Sequence, residues 1–131
     1  EFRSSKQIAF TFESSEEKLY SNVNEELYGW VIENLIKNAI DAMLGKGKLA
    51  LVISDDAKNI EINITDTGKG MAKSQFKKIF NPGFTSKKRG WGLGLSLSKR
   101  IIEDYHKGKI VVKNSELNKG TTFQIILAKV T

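Results

Sequence analysis

Hydrophobic and polar positions alternate along Gln7-Ile8-Ala9-Phe10-Thr11-Phe12, the two-residue period of a strand, and Lys18-Leu19-Tyr20-Ser21 reads as a short second one. Asn24 can cap a helix whose first turn holds Glu25 and Glu26, where the helix dipole favours negative charge. That helix should run to about Leu44, where Gly45-Lys46-Gly47 stops it. On it Ile32, Ile36, Ala39 and Met43 share one face, and Asn34, Asn38 and Asp41, at i, i+4 and i+7, share another. Two further alternating runs, 48–54 and 59–66, joined by Asp55-Asp56-Ala57-Lys58, predict a β-hairpin. Residues 72–79 predict a short helix, and 80–91, with the only proline, Pro82, a mobile loop. A full helix follows from about Gly92 to Tyr105, with Leu97, Ile101 and Tyr105 marking its buried face. Runs 109–114 and 121–129 close the chain as a hairpin around Leu117-Asn118-Lys119-Gly120.

In this order strands outnumber crossovers, which predicts an α+β fold: a two-layer α/β sandwich with a mixed, mostly antiparallel sheet and about three helices on one face. It argues against a doubly wound dinucleotide fold, which needs regular βαβ alternation. At 131 residues the chain is expected to form one domain, 1–131, with no internal repeat or linker. The absence of cysteine excludes disulfides, thiolate zinc sites and thiol nucleophiles, and a single histidine, His106, excludes a multi-histidine metal site. No apolar run approaches the roughly 18 residues of a membrane helix, so the segment is expected to be soluble, without direct membrane contact. The abrupt start at Glu1-Phe2-Arg3 suits a fragment of a longer protein, with Glu1-Phe2 a candidate cloning scar.

The net charge of +6 is unevenly placed. Between Thr67 and Ile102 stand nine basic residues and no acidic one, together with six of the eleven glycines; the remainder is net acidic. A cationic, glycine-rich stretch inside an otherwise acidic domain indicates a local anion site rather than a broad polyanion-binding surface.

Several residues could carry chemistry there. Ile60, Ile62 and Ile64 share one face of a strand, and the next residue on that face is Asp66. A carboxylate at the end of an apolar stripe needs hydrogen-bond donors, unless it simply ends the strand in a turn. Asp66-Thr67-Gly68-Lys69-Gly70 sets two glycines beside it, which let something approach the backbone closely. The amide and carboxylate oxygens of Asn34, Asn38 and Asp41 suit a hard cation such as Mg²⁺, with Lys37 near enough to meet phosphate; a solvated polar stripe would look the same. Gly90-Trp91-Gly92-Leu93-Gly94-Leu95 places glycines at alternate positions where a helix begins, either an anion cradle of free N–H groups or a hinge. Thr85, Ser86 and Lys87 precede it with hydroxyl and cationic donors. His106, at a helix end, reads as a cap on carbonyl groups.

Taken in order, these pieces resemble the ATP-binding catalytic domain of bacterial sensor histidine kinases, in the superfamily shared with DNA gyrase, the ATPase chaperones and the MutL mismatch-repair proteins. Asn34-Leu-Ile-Lys-Asn38-Ala-Ile-Asp41 resembles the asparagine box, Asp66-Thr-Gly68-Lys-Gly70-Met71 the first glycine box, and Phe80-Asn-Pro-Gly-Phe84-Thr85-Ser86-Lys87 the phenylalanine box. Gly90-Trp-Gly92-Leu93-Gly94-Leu resembles the second glycine box, and Gly120-Thr121-Thr122-Phe123 the terminal threonine strand. The resemblance implies the Bergerat-type sandwich, with Asp66 accepting from the adenine amino group and Asn38 coordinating Mg²⁺. It further implies Lys37 and Lys87 neutralising phosphate, Gly92, Leu93 and Gly94 presenting backbone to it, and 80–91 as an ATP lid. Catalysis would then be mainly positioning and electrostatics. Trp91 and Lys107 depart from the smaller residues usual at those positions.

Hydrolytic members of the superfamily carry a glutamate four residues before the Mg²⁺ asparagine. Here that position is Asn34, and Glu33 lies about 100° around the helix. An amide is no general base at neutral pH, which favours transfer to a protein acceptor. The expected acceptor is a histidine on a dimerisation domain N-terminal to this segment, with a response regulator downstream and this kinase domain facing the cytoplasm whether or not the parent protein is membrane-anchored. The fragment should therefore not autophosphorylate alone. The alternatives are an ATP-hydrolysing conformational switch, an anti-sigma-type serine kinase of the same superfamily, and a basic nucleic-acid-binding domain; the last is disfavoured because the cationic stretch coincides with the glycine boxes.

Overall fold

The computed structural model describes residues 7–15, 19–84 and 94–130. Strand β1 (Gln7–Ser14) leads through helix α1 (Glu25–Ala42) to β2 (Lys46–Asp55) and β3 (Asn59–Asp66). Helix α2 (Gly94–Lys99) continues directly as a π-helix (Arg100–Tyr105), and β4 (Lys109–Glu116) and β5 (Gly120–Ala128) follow. The five strands form one sheet in the order β1-β2-β3-β5-β4, with β1–β2 parallel across α1 and the other three pairings antiparallel. This is the mixed, mostly antiparallel sheet that the element order predicts.

β3 is the centre of the sheet, and its strict alternation of half-buried and buried residues shows that one face alone meets the core. Its stripe is matched rung by rung on β5: Ile60 faces Leu127, Ile62 faces Ile125, Ile64 faces Phe123, and Asp66 faces Thr121. Onto these rungs α1 lays Val31, Leu35 and Ala39, all buried. The buried stripe is thus Val31, Leu35, Ala39 and Met43, while Ile32 and Ile36, which share a face with Ala39 and Met43, are only partly buried and line the groove against β1 and β2. The difference has a simple origin: a helix over a sheet centres its apolar arc on the nearest strands, and the flanking isoleucines become its shoulder.

Helix α1 begins as predicted, with the Asn24 side chain accepting from the Leu27 N–H at 3.0 Å. It ends at Ala42, with Leu44 just beyond in the left-handed region at φ 55°. The 55–58 turn is closed by Asp56, whose carboxylate accepts from the N–H groups of Lys58 and Asn59, both at 2.8 Å.

Three predicted elements differ. Leu19 and Tyr20 form no strand: the Tyr20 carbonyl accepts a single bond from Val130 N–H, where a strand needs a ladder; Lys18 lies outside the described residues. Residues 72–79 are not one helix but two 3₁₀ turns, Lys73–Gln75 and Lys78–Phe80, neither with a side-chain cap to satisfy its first N–H groups. In the last helix, Ile101 is buried, but Leu97 and Tyr105 are 41% and 59% exposed, and the inward positions are Ser98, Ile101 and Ile102. The His106 N–H bonds the Ile101 carbonyl, five residues back, so the wider turn changes the phase on which the i, i+4, i+8 pattern depends. No helix among the described residues is long and apolar enough to cross a membrane.

Two substitutions check this packing by urea unfolding. Leu35→Ala, wholly inside the core, should lower stability by about 2–5 kcal/mol. Leu44→Gly, at a 90% exposed position held at positive φ, should raise it by about 0.5–1 kcal/mol, because a β-carbon is unfavourable there.

Candidate nucleotide site

The last rung of the β3–β5 ladder differs from those before it. Asp66 continues the inward stripe and is only 4% exposed, yet it carries a carboxylate. One of its oxygens accepts from the Gly68 N–H at 2.8 Å, and the Thr121 backbone N–H supplies a second hydrogen bond. Burial pushes the Asp66 carboxyl above the usual carboxylate range, and the two N–H donors offset only part of that cost. An ionised carboxylate can accept about four hydrogen bonds, so two donors leave Asp66 able to accept more.

The glycines around Asp66 are there because other chain segments come too close for a side chain. A β-carbon on Gly68 would sit 2.6 Å from the Ala42 carbonyl oxygen at the end of α1, and the Lys69 N–H donates to that same carbonyl at 3.0 Å. Gly70 has φ +67°, and a β-carbon there would overlap the Glu116 carbonyl. The Asn118 N–H donates to the Lys69 carbonyl at 2.7 Å. The 67–71 loop is therefore clamped between the end of α1 and the β4–β5 turn. Met71 is tied down by its own N–H, which donates to Ser115 Oγ at 2.9 Å.

Beside this clamp lies a polar cavity of about 260 Å³, lined by Asp66, Ser115, Gly120 and Thr121 together with Thr65, Asn114, Thr122 and the charged Glu116 and Lys119, and by no residue of α1. Thr121 is 5% exposed, and its hydroxyl lies 2.7 Å from Ser115 Oγ. A larger apolar groove of about 580 Å³ lies elsewhere, between α1 and strands β1 and β2. Its apolar lining offers little to orient a charged ligand, so the smaller polar cavity is the better candidate for chemistry.

Asn34, Asn38 and Asp41 do share a face of α1. Asn34 Nδ2 donates to Ser98 Oγ at 3.2 Å, and Ser98, fully buried, donates in turn to the Gly94 carbonyl at 2.8 Å. A β-carbon on Gly94 would lie 2.8 Å from Asn34 Oδ1, so this glycine lets α2 approach α1. Asn38, one turn on, is half-buried, and Asp41 is exposed. Lys37 is exposed and lines the apolar groove rather than the cavity at Asp66. Phe80 is buried edge-on against Phe123, centroids 6.3 Å apart, with Lys99 Nζ 5.6 Å from its ring centre. Thr85, Ser86, Lys87, Gly90, Trp91, Gly92 and Leu93 lie outside the described residues.

His106 has the capping role expected of it. Its Nδ1 lies 2.9 Å from the Ile101 carbonyl, and its Nε2 accepts from the Asn24 N–H at 2.9 Å. An acceptor at Nε2 fixes the ring proton on Nδ1, which donates to Ile101. Ser98 and Ser115 are polar partners of the site that pattern reading does not single out.

No group of three or more His, Cys, Asp or Glu side chains that could hold a metal occurs among the described residues. A cation here would rest on few protein oxygens, as Mg²⁺ does when phosphates and waters complete its shell. The asparagine face of α1 fits that donor chemistry.

Residues 24–131 match the family model described as histidine kinase-, DNA gyrase B-, and HSP90-like ATPase. Sensor histidine kinase ZraS of Escherichia coli is 41% identical over 97 residues, 74% of this chain and 20% of that protein. Sporulation kinase A of Bacillus subtilis is 34% identical over 113 residues, 86% of this chain and 18% of that protein. The chain thus spans about a fifth of the length of these relatives. Among solved structures, the catalytic domain of histidine kinase ThkA is 35% identical with a TM-score of 0.84, covering 95% of this chain and 82% of that one. ThkA in complex with the response regulator protein TrrA is 32% identical with a TM-score of 0.81, covering 94% of this chain and 34% of that one. With sequence and overall fold in agreement, the chain belongs to the histidine kinase-, DNA gyrase B- and HSP90-like ATPase family and is a histidine kinase catalytic domain.

Proposed function

We propose that this domain binds ATP with Mg²⁺ and positions its γ-phosphate for transfer to a histidine on a separate dimerisation domain outside this segment. The observation that carries the reading is the buried Asp66 carboxylate, held by two backbone N–H groups with acceptor capacity to spare. Burying a charge costs folding free energy, and a ligand that brings an N–H donor, such as the adenine amino group, offsets it. ATP supplies the phosphoryl group. Asn38 would hold Mg²⁺ through its amide oxygen, with Asn34 and Asp41 beside it on the same face. Gly68, Gly70 and Met71 would form the backbone wall at the base, and Thr121 its floor. Lys87, Thr85 and Ser86 would supply donors to phosphate, as would Gly90, Gly92, Leu93 and Gly94 through their backbone, whereas Lys37 lines the apolar groove and has no part in it. Phe80 anchors the start of the lid against Phe123.

Transfer rather than hydrolysis is supported by Asn34. Its amide is held by Ser98, and an amide there cannot take a proton from water. The response regulator bound to ThkA supports a phosphorelay as the setting. A regulator downstream and a cytoplasmic location follow from that reading.

Calorimetric titration of this chain with ATP should give one-to-one binding of roughly −4 to −8 kcal/mol, micromolar to millimolar affinity. Binding should weaken about 10²-fold or more in Asp66→Asn, which removes a charged acceptor. No heat from the wild type and no competition by ADP would overturn the reading.

Asp66 also makes nucleotide-free stability depend on pH. Because its folded-state value is raised, the folded state holds the proton longer than the unfolded chain. The associated stability is present below the ordinary carboxylate value of about 4 and is lost as pH rises through the raised value. Asp55, Asp56 and Glu103 are held below the usual carboxylate range and push the other way in both proteins, so the check is the difference: in urea unfolding across that range wild type should lose stability relative to Asp66→Asn as pH rises, with the variant at least as stable as wild type at neutral pH.

A further inference from the structure

The side chains of Asp66, Thr121 and Ser115 stand in a row across β3, β5 and β4, each opposite the next. The row exists because of an irregularity in β4. Ile110 and Val112 face Ile125 and Phe123, and strict alternation would next bring Asn114 inward. The register instead shifts between Val112 and Asn114, so Asn114 meets Thr122 and Ser115 meets Thr121. A bulge of this kind re-aims a side chain.

Ser115 Oγ has three polar neighbours: the Met71 N–H at 2.9 Å, the Gly120 carbonyl at 3.0 Å and Thr121 Oγ1 at 2.7 Å. A hydroxyl has one proton and two lone pairs. The Met71 N–H takes one lone pair, and the Gly120 carbonyl can only accept. If Ser115 donates to Gly120, the Thr121 hydroxyl donates into the remaining lone pair, and three hydrogen bonds form. If Ser115 donates to Thr121 instead, the Gly120 contact is lost and only two form. The three-bond arrangement is favoured, and in it the Thr121 proton is spent on Ser115. Toward the cavity Thr121 then offers lone pairs alone, next to the acceptor-only carboxylate of Asp66.

We infer that Ser115 is a specificity-determining positioning residue, which holds the Thr121 hydroxyl as an acceptor so that the pocket selects a purine amino group over a purine carbonyl. This rests on the reading of the cavity as an adenine site. Two adjacent acceptors match the two protons of an exocyclic amino group; a carbonyl in the same place meets lone pairs with lone pairs. Without Ser115, the Thr121 hydroxyl turns and donates to a carbonyl.

The test is the ratio of dissociation constants for ATP and inosine triphosphate, whose base carries a carbonyl where adenine carries an amino group. Wild type should prefer ATP. Ser115→Ala should lower that preference about tenfold, and Ser115→Thr, which keeps the hydroxyl, should restore it. Ser115→Cys, a weaker acceptor, should lie between, and serves in place of the alanine variant if that one fails to fold. A merely structural Ser115 would weaken both nucleotides in parallel, and an unchanged ratio overturns the inference. If wild type prefers ATP while the ratio ignores Ser115, only this inference fails; if wild type binds neither nucleotide, the adenine reading fails with it.

Discussion

The arrangement depends on one cost: a carboxylate placed where the pattern calls for an isoleucine. Three rungs of aliphatic and aromatic pairs between β3 and β5 build the centre of the core, and the fourth rung is Asp66 opposite Thr121. A charge in that position is tolerable only with donors at fixed distances. The backbone supplies them from Gly68 and Thr121, and holding those N–H groups in place requires the loop after β3 to be pinned. The end of α1, the β4–β5 turn and Ser115 do the pinning. Much of the glycine pattern in this part of the chain follows from the closeness that such pinning demands.

What was legible in the sequence follows from locality. The alternation of β3 and its ending in Asp66 are visible because strand period and burial coincide on a central strand that meets the core with one face. The Asn24 cap is legible because the donor and acceptor lie three residues apart. The asparagine face of α1 is legible from helix geometry alone. Family resemblance then adds roles that no spacing supplies.

What was not legible depends on phase or on partners far along the chain. Tyr105, at the far end of the π-helix, falls outside the core, and in the α-helical turn before it Leu97 is exposed while the small Ser98 turns fully inward to bridge Asn34 and the Gly94 carbonyl. Nothing in a window of i, i+4 spacings reports an extra residue in a turn. Ser115 escapes notice for the same reason, since the bulge reverses the parity that would assign Asn114 to its place. The two 3₁₀ turns at 73–80 show a further limit, because a helix-like run without caps has no local means of closing its first turn.

His106 joins two elements far apart in sequence. Its ring is bonded on one side to the backbone that opens α1 and on the other to the π-helix that ends the α2 segment. The two helices are thereby fastened at one end, while toward the other they meet through Gly94, Ser98 and Asn34. One imidazole thus ties the start of one helix to the end of another, so losing that ring would leave the Asn24 N–H without its acceptor and uncouple the two helix ends.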